Sequence, residues 1–495
     1  MLPRPHDTAV MQSSSTALQG LTAAAATSAR RIAIIGAGFS GTAVAIKLLR
    51  QAGATPLEIV LLDPREEIGS GVAYATRDYP YPLNVAAGQM SLDTADPRDF
   101  LDYLCDQGIH AAPGDYLPRQ VFGEYLRARF NAARDAAPAH LTCTHRRARV
   151  LRLRRLEKGF DLWLEDGSAL VADEVVLALG NAPPACPAEC APIAHSPRYF
   201  SDPWSLDRWR IGTMPDDEPG SVLLIGSGLT MIDAALRLAA IRPRVRHIHV
   251  LSRHGLLPLP QASEPLPPVK PDVDHMLLQS RGSVRRLFRG FSLLMAQVID
   301  AGGDWREVLA IARPGLPALW RELDATQRAR FLRHARAQWE VHRHRVPAGP
   351  LNAVRTLQRL GVLEIHAGRL EATRLEDDAI EVLWRPRGAT RSRAWLVDRV
   401  VNCTGPDARV DRIPDALIQS LLANGLAQRD AQGLGIEVAE DGRVMSAGAP
   451  LDGLWYIGPW LRARDWEATA VPELREHAAR LAQRLGDRAR AAAAA

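Results

Sequence analysis

Lysine is almost missing from this chain. Only Lys47, Lys158 and Lys270 are lysine; the other basic residues among the 61 are arginine, spread over 495 residues. The net charge of +5 therefore does not mark a nucleic-acid partner, because clusters such as Arg343 to Arg345 occur but no basic arm does. With the abundant alanine, this pattern reads as the compositional bias of a GC-rich genome. Cysteine is also scarce. Cys105, Cys143, Cys186, Cys190 and Cys403 form no CxxC and no zinc spacing, which argues against a dithiol redox centre and leaves no metal site in view. Cys186 and Cys190 share a Pro-rich loop and give only a weak redox hint. The usage suits a reducing cytoplasm. No apolar run is long enough to span a membrane. Residues 1–30, rich in Ala, Ser and Thr, lack the apolar core of a secretory signal and read as a disordered tail, with Met11 as a second candidate start. No Ser-His or His-Asp arrangement stands out.

The hydrophobic content of 47% and charged content of 24% are those of an ordinary globular protein, and the length calls for two or three domains. Two glycine-rich turns organise it. In the first, the run Arg31-Ile-Ala-Ile-Ile precedes Gly36, Gly38 and Gly41. The run reads as a buried parallel strand. Gly36 permits the tight turn, Gly38 lets backbone approach a pyrophosphate, and Gly41 lets the next helix pack closely. The helix N-terminus then faces the phosphates. A second strand, Leu57-Glu-Ile-Val-Leu-Leu, ends at Asp63, the position expected for an adenosine ribose contact.

The second turn follows Ser221-Val-Leu-Leu-Ile and carries Gly226 and Gly228, but Met231 replaces the third glycine. The next strand ends in Ser252-Arg253 instead of an acid. An arginine there suits the 2′-phosphate of NADPH, with NADH left open. Two such turns imply two dinucleotides and electron transfer between them.

The expected fold class is α/β, with two Rossmann-like dinucleotide-binding domains, one split by insertion of the other, plus a helical insertion. The proposed boundaries are 31–205 for the first part of the split domain and 206–370 for the inserted domain. A helical segment is expected at about 262–350, and the second part of the split domain at 371–490. Residues 172–180 read as a return strand beside the first nucleotide. A Pro-rich stretch (Pro265, Pro267, Pro268, Pro271) precedes Leu287, Phe288, Phe291, Leu294 and Met295, which recur at helical spacing and read as core. A helix is expected from Thr326 to His344 and a strand from Val362 to His366. The strand ending at Cys403-Thr404-Gly405 is expected to return to the first sheet. A further strand ends at Gly458, and a helix starts near Pro472, a favourable first-turn residue.

Longer strings carry a resemblance. They are Gly71-Val-Ala-Tyr74, Leu83 to Ser91, Tyr116 to Leu126, His195 to Trp204, Gly226 to Asp233, Trp339 to Arg345, and Trp466 to Arg475. With them the chain resembles a bacterial family of flavin-dependent monooxygenases that includes an FAD-dependent urate hydroxylase and an aspartate N-monooxygenase. The resemblance implies FAD at the first turn and NADPH or NADH at the second. One oxygen of O2 would pass through a flavin C4a-hydroperoxide to a small polar substrate. Urate hydroxylation is the first expectation; N-hydroxylation of an amino acid or amine such as aspartate, or a flavin reductase activity, is the alternative. It further implies cofactor contacts at Asn84, Gln89, Met90, Gly405, Gly458 and Thr469, with Gln89 and Arg345 as candidates on the substrate and flavin side. No nucleic-acid or membrane partner is expected, and an oligomer is open. Pro459 departs from the acid that many flavoproteins place after this glycine, and Gln261 stands where relatives often carry His.

Overall fold

The computed structural model describes residues 29–51, 55–77, 79–204, 220–241, 245–262 and 271–494. The expected tail up to residue 28, and Pro265, Pro267 and Pro268, lie outside them. In chain order the strands are β1 (Arg30–Ile35), β2 (Leu57–Leu62), β3 (Leu141–Arg146), β4 (Val150–Arg155), β5 (Phe160–Leu164) and β6 (Ala169–Ala172). There follow β7 (Glu174–Leu177), β8 (Tyr199–Phe200), β9 (Ser221–Ile225), β10 (His247–Ser252), β11 (Leu363–Glu376) and β12 (Ala379–Pro386). The last are β13 (Arg393–Val397), β14 (Arg399–Asn402), β15 (Arg443–Ser446) and β16 (Ala449–Tyr456).

The first sheet has the order β15-β16-β7-β1-β2-β3. β1 runs parallel to both β2 and β7. Its residues are buried on both faces, as a central parallel strand requires. Ile32 and Ile34 enter a core shared with the helices Phe39–Leu49 and Val471–Ala494. Ala33 and Ile35 enter a second core, covered by the antiparallel layer β4-β5-β6. The closing helix runs through Ala494, in line with alanine's high helix propensity.

The second sheet repeats the plan with the order β13-β12-β11-β10-β9-β14-β8. Val222 and Leu224 of β9 pack towards the helix Leu229–Ile241. Leu223 and Ile225 face the other way, against Ile380, Val382, Trp384 and Val397 from the hairpin β12–β13. β11 is far longer than the five residues expected. A bulge between Leu370 and Ala372 lets its second half pair with β12.

Two expectations need correction. β14 pairs with β9 and β8, so the strand ending before Gly405 belongs to the second sheet, not the first. By strand pairing the second unit thus takes in β8 before residue 205 and extends beyond 371 to about Asn402. Both return strands read as buried runs ending in Gly, and that local pattern cannot say which sheet receives them. The helix expected from Thr326 to His344 is also broken: Ala325–Arg330 and Arg336–Arg343 flank a π-helical turn, Phe331–Ala335.

The helical insertion forms its own core from Leu287, Phe291, Trp320, Phe331 and Trp339, joined by Ala463 and Trp466 from the C-terminal region. Phe288, Leu294 and Met295 pack against it partly buried, as their spacing suggested. Among the described residues no helix is long and apolar enough to cross a membrane.

A buried ion pair joins the two nucleotide units. Arg119 opens the helix Arg119–Asp135, and its Nη2 lies 2.6 Å from Oδ2 of Asp233 on the helix after the second glycine turn. Their side chains are 14% and 9% exposed. Arg119 also lies over the rings of Tyr81 and Trp204. Nearby, Arg237 Nη1 donates to the Tyr81 hydroxyl at 3.2 Å. Asp233→Ala should strand the Arg119 charge and lower stability by about 3–5 kcal/mol, whereas Arg119→Met with Asp233→Leu should recover most of that loss. Chemical denaturation of the three proteins checks it.

Candidate active site

The two glycine turns share one geometry. Gly36 has φ of +104°, and a Cβ on it would stand 2.2 Å from the Ala178 carbonyl oxygen beyond β7. Gly226 has φ of +109°, and a Cβ there would meet the Cys403 carbonyl oxygen at 2.5 Å. Only glycine fits where each turn crosses its neighbouring strand end. Gly38 and Gly228 differ from these. A Cβ on Gly38 would meet only Gly71 Cα at 3.5 Å, and one on Gly228 would meet nothing within 4 Å. The protein leaves open space there, and backbone can approach a pyrophosphate in both places. Gly41 completes the first turn, since a Cβ on it would strike the Gly36 carbonyl at 1.9 Å. At the corresponding position of the second turn Met231 is fully buried.

Asp63 is buried and fastens the first turn. Its Oδ2 accepts from the Ala37 N–H at 2.9 Å, and its Oδ1 accepts from the Arg65 N–H at 2.9 Å and Nε at 3.1 Å. Both lone pairs of Oδ1 are thereby engaged, and Oδ2 keeps one for a ribose hydroxyl. Gly69 N–H donates to the Ala37 carbonyl at 2.8 Å, which lays residues 69–74 over the turn. Sequence reading gave that string no position.

At the second turn the Ser252 hydroxyl is already engaged. It lies 2.8 Å from the Ser227 hydroxyl and accepts from the Gly255 N–H at 3.0 Å. Ser252 thus shapes the loop. Arg253 beside it is exposed. His254 is held below its ordinary range by partial burial and by two neighbouring cations, Arg253 and Arg387. Arg387 comes from the end of the β12 hairpin, far away in sequence, and no local motif announces it. Gly405 follows β14 at the mouth of this second turn, with φ of +88°. Its expected place in the first site is therefore corrected: it joins Gly226, not Gly36.

The remaining candidates converge on the first sheet's open end. Gly458, with φ of +147°, ends β16 beside Gly180. Thr469 sits half-buried in the turn before the last helix. Arg475 on that helix donates to the Ser91 carbonyl at 2.8 Å and to the Gln89 carbonyl at 3.4 Å. This bond brings the loop 89–91 to the helix N-terminus. Within the loop, the Gln89 side chain is exposed and Met90 is buried in the first core. Met90 therefore presents backbone, not a side chain, to any ligand.

Asn84 joins the two units. Its carbonyl accepts from Gln261 Nε2 at 2.9 Å, and Gln261 Oε1 accepts from Arg345 Nε at 3.0 Å. Arg345 lies just past the helix Arg336–Arg343. Its Nη1 is buried without a hydrogen-bond partner. Burial, then Arg343 and Arg306, push its pKa down to about 10, so it stays charged at neutral pH. Tyr116 faces it, with its phenol raised chiefly by burial. Arg343 differs: it is committed to Glu467 and lies 3.8 Å from Glu473. Neither arginine is a fully exposed surface residue.

Open glycine turns at the carboxyl ends of parallel strands in two sheets define a protein built for two dinucleotides. Comparison with known proteins agrees. Residues 33–182 match the model of a FAD-NAD(P)-binding family. An uncharacterised protein of Mycobacterium tuberculosis is 24% identical over 523 aligned positions, covering 92% of this chain and 95% of that protein. Among solved structures, an ornithine hydroxylase from Pseudomonas aeruginosa superposes with a TM-score of 0.62 at 16% identity, covering 93% of this chain and 99% of that one. An L-lysine 6-monooxygenase from Pseudomonas syringae gives 0.61 at 18% identity, covering 92% and 99%. An FAD-bound cadaverine monooxygenase from Erwinia amylovora gives 0.63 at 14% identity, covering 92% and 94%. The chain has the two-dinucleotide fold of these flavin monooxygenases, and its first half carries the FAD-NAD(P)-binding module.

Gly38→Ala should leave the fold intact, since no protein atom obstructs the methyl, yet the purified protein should emerge without flavin. Gly36→Ala should instead lose thermal stability. Flavin-to-protein ratios and melting curves distinguish the two; a fully flavin-loaded Gly38→Ala protein contradicts the assignment of the first site.

Proposed function

We propose that this chain is an FAD-dependent, NAD(P)H-consuming monooxygenase that hydroxylates a nitrogen of a small, carboxylate-bearing amine. The observation that carries the reading is the pair of open glycine turns, one per sheet, joined through Arg119–Asp233 and Asn84–Gln261–Arg345. The chain-long likeness in fold to hydroxylases of ornithine, lysine and cadaverine supports nitrogen as the target. Urate, the first expectation, has no counterpart among the matched proteins named above.

FAD would lie along Gly36, Gly38 and Asp63, with its ring towards the loop 89–91 and the last helix. NAD(P)H would lie along Gly226 and Gly228, with Arg253 and Arg387 beside the ribose. When bound, these groups supply hydride transfer and the activation of O2. The protein's own part is binding, orientation and exclusion of water. Arg345 supplies a half-buried guanidinium whose free Nη1 suits a substrate carboxylate. Gln261 holds Arg345 in place from the Asn84 backbone.

The test is NADPH and NADH oxidation with oxygen uptake across a panel of amino acids, diamines and urate. Substrate-stimulated oxidation by a carboxylate-bearing amine, with hydroxylamine formed and little peroxide released, is expected. Stimulation by urate alone, or by none of the panel, contradicts the reading. Arg253→Ala and Arg387→Ala should each weaken NADPH by about 10–100-fold, the worth of charge-assisted hydrogen bonds, while NADH is little affected. Equal losses for both nucleotides would remove these arginines from the 2′-phosphate. Arg345→Gln should raise the substrate KM at least tenfold, by about the same bond energy, and leave substrate-free NADPH oxidation unchanged; steady-state kinetics of the two rates decide.

A further inference from the structure

The second sheet carries a cluster of imidazoles that the cofactors do not use. His247 and His249 alternate on β10, so both side chains leave the same face. In the parallel register His249 stands opposite Glu364 of β11, and Leu251 opposite His366. The four side chains therefore share one face. It is the face of Leu223 and Ile225, turned away from the helix Leu229–Ile241.

One donor atom from each of His247, His249 and Glu364 lies within 4.8 Å of the others. His247 Nε2 is 3.6 Å from Glu364 Oε1, and His366 Nε2 is 3.4 Å from Glu364 Oε2. Two ring nitrogens, His249 Nδ1 and His366 Nε2, are buried and make no hydrogen bond. Buried polar nitrogens are seldom left unsatisfied in native proteins. Trp395 stacks on His249 at 4.4 Å and 15°, and Trp384 lies 5.2 Å from His366. These rings hold the two imidazoles in place and shield one side of the cluster.

We propose that His247, His249 and Glu364, with His366 as a fourth donor, form a binding site for a divalent transition cation of the Zn2+ type. Three imidazoles and one carboxylate are a donor set that Zn2+ favours, and it rarely asks for more than four ligands. Zinc–ligand bonds of about 2.0–2.2 Å require the three donors within 4.8 Å to draw closer, and His366, 3.4 Å from Glu364, to swing in beside them. Burial, followed by His247 and His366, holds His249 down to about 4, and burial also lowers His366. Arg393 also acts on His366 and opposes a cation there, which makes His366 the weakest of the four donors. The site lies at the amino-terminal half of β10, whereas the nucleotide loop leaves its carboxyl end at Ser252. A cation there would tie β10 to β11 and stabilise the second unit without touching the reacting groups.

The test uses the full, flavin-loaded chain, stripped with a chelator and titrated with Zn2+ against a chromophoric competitor. One Zn2+ per chain is expected, with a raised melting temperature. Glu364→Gln and His247→Asn alter half-exposed side chains and should retain flavin and the fold. Each should weaken Zn2+ binding at least about tenfold, as loss of a ligand requires, and abolish the melting shift. Failure of the wild-type chain to take Zn2+ from a weak competitor would overturn the proposal. So would equal Zn2+ affinity in wild type and both variants.

Discussion

A buried arginine–aspartate pair holds the two nucleotide units in register. Arg119 leads a helix of the first unit, and Asp233 lies on the helix that begins at the second glycine turn. Neither charge tolerates burial alone. Burial raises the Asp233 carboxyl, and Arg119 opposes that rise. A shift of the units against each other would strand both groups in a weakly solvated joint. The direction in which the second turn opens is therefore tied to the first. Electron transfer between two bound dinucleotides requires this constraint, because it depends on the distance and orientation of their rings.

The helical insertion acts on the other side of the joint. Trp320 Nε1 donates to the Ala463 carbonyl at 3.0 Å, Trp339 Nε1 donates to Glu467 at 2.8 Å, and Arg321 pairs with Asp465 at 2.7 Å. Arg313 reaches Glu473, and Arg462 reaches Glu340. Burial alone would raise Glu340, yet His344, Arg462 and Arg336 hold it well below the carboxylate range. The segment 463–473 is thus clamped by residues inserted into the other unit. Just beyond its end, Arg475 carries the order to Ser91 and the loop 89–91. Insertion and loop 89–91 are one mechanical assembly, although more than a hundred residues separate them.

The glycine turns were legible because their constraints are local. Gly36 and Gly226 need positive φ, while Gly38 and Gly228 need empty space above them, and both demands leave the same mark in sequence. Spacing placed Asp63 at the end of β2, but its contacts to Ala37 and Arg65 were not legible. β14 was misplaced because a buried run ending in glycine suits either sheet, and pairing is decided by partners far along the chain. Arg387 was invisible for a similar reason: only the β12 hairpin brings it to Arg253. The partners of Arg343 and Arg345 were not legible, because an arginine does not announce its partner; Glu467 and Gln261 lie 124 and 84 positions away. The pair His247-x-His249 was legible in principle as a strand presenting two imidazoles to one face. Its cross-strand partners, Glu364 and His366, become visible only in the register of β10 with β11.

The most direct measurement mixes the flavin-loaded protein with NADPH in the absence of oxygen and follows the flavin absorbance. The account predicts complete bleaching by one equivalent of NADPH, with slower bleaching when Asp233→Ala loosens the joint. A protein that holds FAD but keeps its flavin oxidised under excess NADPH and NADH would contradict the claim that the two turns place two dinucleotides in one working cleft.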